Sequence, residues 1–170
     1  KPEDVARACA RESIAMLDAK DAPPGRMDVV MQNGWGGVLV HEAVGHPLEA
    51  DNIARKIGAF TGKLGQKVAS PLFTMVDDGT MPNHRGTINV DDEGTSAQKT
   101  VLIKEGVLQM YMTDILSAGQ LKLPRTGNGR RESFRYLPIP RMTNTYIENG
   151  KDRPEDVLAS TRSGIYVQSL

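Results

Sequence analysis

Gly45 and Pro47 close the segment His41-Glu42-Ala43-Val44-Gly45-His46, and no other stretch limits so sharply what this chain can fold into. An α-helix turns about 100° per residue, so side chains five positions apart point roughly 140° away from one another. His41 and His46 stand at that separation. Their rings can share one side only if the helix deforms between them. The residues permit it, because Gly45 accepts unusual backbone angles while Pro47 cannot donate to the carbonyl of Ala43 and disfavours helical geometry at His46. A widened or π-type turn across residues 42–47 is therefore expected, a distortion that concentrates at functional sites.

The chemistry gives the deformation a purpose. Two neutral imidazoles can hold a zinc-class cation through ring nitrogens, and a neighbouring carboxylate that is not a ligand can take a proton from water. The chain has 3 histidines, of which His41 and His46 are two, and Glu42 lies between them. On an undisturbed helix the same residues would be ordinary, with one histidine on the core side, the other exposed and Glu42 in solvent.

Apolar residues at Ala6, Ala10, Ile14 and Leu17 recur at helical spacing, predicting a helix over 2–19 with one buried stripe, and Cys9 beside it reads as a small buried hydrophobe. Asp21 to Gly25 is a turn, and Met27 to Met31 a short strand. The motif helix is expected from Trp35 through His46, with a kink at Pro47 and a continuation to Lys56. Gly58 to Gln66 reads as a flexible connector, a loop or a lid. Strands are expected at Leu72 to Val76, Thr87 to Val90, Thr100 to Lys104 and Val107 to Met112, the last two joined by a Glu105-Gly106 hairpin. The acidic stretches Asp77 to Thr80 and Asp91 to Thr95 read as turns between strands. Thr113 or Asp114 can cap a short helix to Leu121. Arg125, Arg130, Arg131, Arg135 and Arg141 fall in one irregular stretch, where they can clamp a carboxylate or phosphate or pair with the acidic turns. Met142 to Ile147 is a further strand ending at the hairpin signal Asn149-Gly150, and Pro154 opens a last helix. Together these predict an α+β domain spanning residues 1–170, with a largely antiparallel sheet and the motif helix packed on it.

In order along the chain, His41-Glu-Ala-Val-Gly-His-Pro-Leu-Glu-Ala-Asp51, Val76-Asp-Asp-Gly-Thr80, Arg85-Gly86, Asp91-Asp-Glu-Gly-Thr95, Thr126-Gly-Asn-Gly-Arg-Arg-Glu-Ser133 and Pro140-Arg-Met-Thr-Asn-Thr-Tyr146 closely resemble the TldD/PmbA family of metallopeptidases, in its TldD-like branch. The resemblance runs from about Asn33 to Val167. It implies a zinc-dependent peptidase of unfolded proteins or peptides in the cytoplasm, with His41 and His46 as metal ligands and Glu42 as general base. It also implies a dimer, either with a second copy or with a PmbA-like subunit lacking the signature. Family members are longer, and the resemblance places a third ligand, a cysteine, in a C-terminal region outside this chain. Cys9 precedes the motif and does not match it. Glu49 or Asp51 are the candidates within the chain.

Other features bear on partners. The chain carries 21 basic and 21 acidic residues, so no bulk charge draws it to nucleic acid or to anionic membrane. A single cysteine builds no intrachain disulfide, as suits a reducing compartment. No apolar run reaches the roughly 18–20 residues of a membrane span. The chain starts at Lys1 and ends in Ile165 to Leu170, a strand with no evident partner, so it is expected to be an excised or truncated central part of a longer metallopeptidase. A peptide can be held by main-chain bonding to a sheet edge, for which Thr143, Asn144, Thr145 and Tyr146 are the candidate strand. The alternative function is a non-catalytic peptide-binding or assembly module using the same sheet.

Overall fold

The computed structural model describes residues 1–34 and 36–168, so the Trp35 start of the motif helix and the terminal Ser169 and Leu170 lie outside the described residues. The central sheet is antiparallel, and the protein is α+β as expected. Strand β2 (Met75–Asp78) lies between β3 (Lys99–Lys104) and β7 (Thr145–Ile147), and β4 (Val107–Leu108) flanks β3. β3 and β4 are joined as the Glu105-Gly106 pair demands, with φ of 48° and 80°, the left-handed angles of a tight hairpin turn. β5 (Gly129–Arg130) and β6 (Ile139–Pro140) form a small separate hairpin out of the arginine-rich stretch. Helix α4 (Ile115–Leu121) begins at Asp114, whose side chain accepts the Ser117 N–H at 2.7 Å, as its capping role requires.

The core lies within residues 48–142. Leu48, Ala50 and Ile53, from the motif segment and α3 (Ala50–Ala54), pack with Met75, Leu102, Ile103, Leu108, Tyr111, Met112 and Met142. The motif segment is docked on this sheet region by main-chain bonds too, since Ala50 N–H donates to Met112 O at 2.9 Å and Met112 N–H to Leu48 O at 3.0 Å.

Several expectations are corrected. Helix α1 (Pro2–Leu17) forms, but its stripe is not buried: Ile14 is 66% exposed, Leu17 83%, and Cys9 is exposed. The terminal strand β8 (Gly164–Val167) does have a partner, pairing in parallel with β1 (Asp28–Met31), so Asn149-Gly150 does not turn β7 back on itself. Residues 87–90 form no strand but a loop, tied by Ile88 N–H to Gly79 O at 3.1 Å. The connector 58–66 is stitched down, with Gly65 N–H donating to Leu108 O at 2.8 Å and Tyr111 donating its hydroxyl to Phe60 O.

The acidic pair is corrected in part. Asp77 and Asp78 are buried members of β2, and the turn itself is confined to Gly79 and Thr80, where Asp78 Oδ1 accepts the Thr80 N–H at 2.8 Å as a turn aspartate does. Asp77 can be buried because its carboxylate collects donors: Asn128 Nδ2 at 2.7 Å, and the main-chain N–H and Oγ1 of Thr143 and Oγ1 of Thr145, each at 2.8 Å. Asp91 behaves as a turn residue, its Oδ1 accepting from the N–H groups of Glu93 and Thr95. Substituting Asp77→Ala strands these donors in a dry interior and should cost about 2–4 kcal/mol of stability, read as lost hydrogen-exchange protection across β7.

Candidate metal centre

The motif segment is built from three kinds of helical turn in succession. Helix α2 (Gly36–Val40) gives way to a π-helical turn over His41–Gly45, then to a tight 3-10 turn over His46–Leu48. The diagnostic bond is His46 N–H to His41 O, five residues back. The widening turns the second imidazole back towards the first. Their ring centroids are 4.7 Å apart with planes at 84°.

Gly45 serves this turn differently from what the sequence suggested. Its φ and ψ of −59° and −62° are helical, so its freedom of rotation is not used. Space is. A Cβ at this position would stand 2.3 Å from Met142 Sδ and 3.1 Å from its Cε. The buried Met142 therefore packs directly against the backbone of the π turn.

One ring nitrogen each of His41 and His46 and one carboxylate oxygen of Glu42 lie within 4.8 Å of one another. Both histidines are half-buried and Glu42 is exposed, with Glu42 Oε2 3.9 Å from His46 Nε2. The other nitrogen of His46 is already engaged: Nδ1 lies 3.0 Å from Glu49 Oε1, and Arg141 Nη1 donates to Glu49 Oε2 at 3.0 Å. Glu49 is 3% exposed. Its burial pushes its carboxyl above the ordinary range, against the pull of Arg141 and His46. With Nδ1 engaged by this carboxylate, His46 has its Nε2 on the side of Glu42, and the neutral tautomer protonated at Nδ1 leaves the Nε2 lone pair free for a cation. Burial, reinforced by the His46 ring, lowers the His41 pKa, while Glu42 and Asp77 raise it. A lowered value favours the neutral ring that a cation needs. Two imidazole nitrogens and an oxygen converging in this way could hold a metal ion. Glu49 and Asp51 are not in the cluster, and Cys9 is not either.

His41 also faces a cavity of about 540 Å³ lined by Thr143, Asn144, Thr145 and Tyr146. The side chains of the first three are committed internally. Those of Thr143 and Thr145 bond Asp77, while Asn144 Nδ2 donates to Asp78 O at 2.8 Å and to Thr87 Oγ1 at 3.1 Å. β7 is nevertheless the edge of its sheet. Asn144 O and Glu148 N–H bond towards β2, so by the alternation of an antiparallel ladder the main-chain groups of Thr145 and Ile147 face the open side.

The fold is that of a class of metallopeptidases. The chain is a member of the PmbA/TldA metallopeptidase family, whose C-terminal domain profile matches residues 24–170. It is 51% identical over 161 residues to a metalloprotease TldD homolog of Haemophilus influenzae, covering 95% of this chain and 33% of that protein. A metalloprotease of Methanocaldococcus jannaschii is 37% identical over 165 residues, covering 97% and 36%. The chain thus spans about a third of the length of these curated relatives. Among solved structures, TldE from Thermococcus kodakarensis superposes with a TM-score of 0.74 at 26% identity, over 98% of this chain and 38% of that one. A Thermotoga maritima protein described as a candidate modulator of DNA gyrase shares the fold, with a TM-score of 0.81 at 24% identity over 99% and 38%.

Replacing Gly45 by alanine forces Met142 out of its seat and should destabilise the protein by about 1–3 kcal/mol. Met142→Ala in the same chain should recover part of that loss in a thermal-unfolding double-mutant cycle.

Proposed function

We propose that this chain carries the catalytic metal motif of a peptidase acting on peptides or unfolded proteins. The observation that carries the reading is the convergence of His41 and His46 across the π turn, with Glu42 beside them. His41 and His46 Nε2 would hold a zinc-class cation, with a third protein ligand supplied from outside this chain. When bound, such an ion supplies Lewis acidity, polarising the scissile carbonyl and making water easier to deprotonate. Glu42, which is exposed, would take a proton from the attacking water on its carboxylate oxygen and pass it to the departing amine nitrogen. Glu49 and Arg141 keep the His46 ring in its orientation through the charged bond chain described above.

Substrate is proposed to lie extended along β7. Because the side chains of Thr143, Asn144 and Thr145 are spent on Asp77, Asp78 and Thr87, recognition there falls to the main chain of Thr145 and Ile147, with Tyr146 alongside. Main-chain recognition demands an unpaired, extended segment, which is what an unfolded protein offers. A cytoplasmic location and a dimer, with a second copy or a PmbA-like subunit, complete the proposal. No helix among the described residues is long and apolar enough to cross a membrane.

In the full-length enzyme, Glu42→Gln should retain metal and lower turnover of an unstructured peptide by about 10²–10⁴-fold. Unchanged turnover would remove Glu42 as the base, and absence of metal from the wild type would favour a non-catalytic peptide-binding module. Glu49→Gln should weaken metal affinity by about 10–100-fold, measured by chelator competition and elemental analysis.

A further inference from the structure

The cavity beside His41 has a one-sided charge. Its walls carry His84, Arg85 and Arg130 in addition to His41, and they include no carboxylate. This is notable in a chain whose formal charges cancel. Neither Arg85 nor Arg130 makes an ion pair among the described residues, whereas Arg141, Arg55 and Arg153 each face a carboxylate. The polar contact that Arg130 does make is neutral, with Nη1 donating to Met142 O at 3.3 Å.

Both guanidinium groups are carried on backbone that is fixed in place. Next to Arg85, Gly86 N–H donates to Asn144 Oδ1 at 2.8 Å, and a Cβ on Gly86 would come within 2.4 Å of the Thr143 carbonyl. Only glycine lets this loop lie so close to the start of β7, and the fit sets Arg85 beside that strand. Arg130 belongs to β5, where the preceding Gly129 donates its N–H to Asp91 Oδ2 at 2.9 Å and accepts from Asp92 N–H at 2.9 Å. Two unneutralised guanidinium groups on pinned backbone, facing a cavity shared with a candidate metal ligand and an open strand edge, make a receptor for an anionic oxygen pair.

We infer that this cavity selects peptide substrates by a carboxylate, bound by charge-assisted hydrogen bonds from Arg85 and Arg130 close to the bond that is cut. The inference rests on the peptidase reading and adds the substrate class to it. The carboxylate can belong to an aspartate or glutamate side chain or to the peptide's own C-terminus. Both present the same planar pair of oxygens to the guanidinium fork.

The test uses the full-length, metal-loaded enzyme and a set of short, unstructured, fluorescein-labelled peptides. The parent has glutamine at every polar position and an amidated C-terminus. One arm replaces single glutamines by glutamate, and the other frees the terminal carboxylate. Fluorescence anisotropy and kcat/KM are measured for each. At least one arm should gain about tenfold over the parent in both readouts, and which arm gains identifies the source. The gain should fall below about twofold in an Arg85→Ala/Arg130→Ala variant that retains its metal. If that variant does not fold, the Arg85→Lys/Arg130→Lys pair should keep charge but lose most of the gain, since lysine lacks the planar fork. Equal binding of amide and carboxylate peptides by the wild type overturns the inference, as does a gain that survives the substitutions. Failure of the peptidase reading looks different: no peptide would be cut, whatever the order of affinities.

Discussion

A single buried carboxylate, that of Asp77, holds together the parts that make the candidate site. It gathers Asn128 from the loop after α4 and Thr143 and Thr145 from the chain entering β7, all at 2.7–2.8 Å. Leaving any of those donors unpaired in the interior would be costly, and so would leaving the charge without them. The arrangement is therefore mutual, and it fixes β7 against β2. Met142, one residue before Thr143, is thereby seated against Gly45 and the π turn. The same charge acts on His41 through space, opposing the effect of burial on that ring. Sheet, loop and metal motif are in this sense one assembly around one side chain.

The distortion of the motif could be read from the chain because its causes are local. A five-residue spacing, a glycine and a proline within seven positions leave a regular helix no way to bring the rings together, and the π bond from His46 N–H to His41 O is the result. The use made of Gly45 was not legible, since it depends on Met142, which is remote in sequence and adjacent in space. Glu49 was open to reading as a ligand for the same reason. Its true neighbours include Arg141, 92 residues on, and with that partner it supports His46 from behind.

A similar division runs through the fold. The Glu105-Gly106 hairpin and the Asp114 cap follow from the angles and bonds that those residues can make with their immediate neighbours. Asp77 and Asp78 looked like turn residues because acidic pairs next to glycine usually are, and Asp78 does keep its turn bond to Thr80. What draws Asp77 away from that tendency is a set of donors supplied from positions 128 to 145, which no local pattern announces. The parallel pairing of β1 with β8 joins Asp28 to Gly164 and was likewise beyond reach. Helical spacing in α1 gave the helix correctly, but spacing alone does not say what a stripe faces, and here it faces outward.

A π turn is what one added residue makes of an α-helix. Seen so, the pair of imidazoles keeps the mutual geometry that a four-residue spacing would give unaided, and the extra residue is absorbed between them. What it changes lies downstream, where every later side chain is rotated by about 100° about the axis. That rotation, followed by the tight turn at Pro47, delivers Glu49 to the far side of the second imidazole. A chain shortened by one residue between the histidines could still present both rings, yet it would carry its supporting carboxylate to another face.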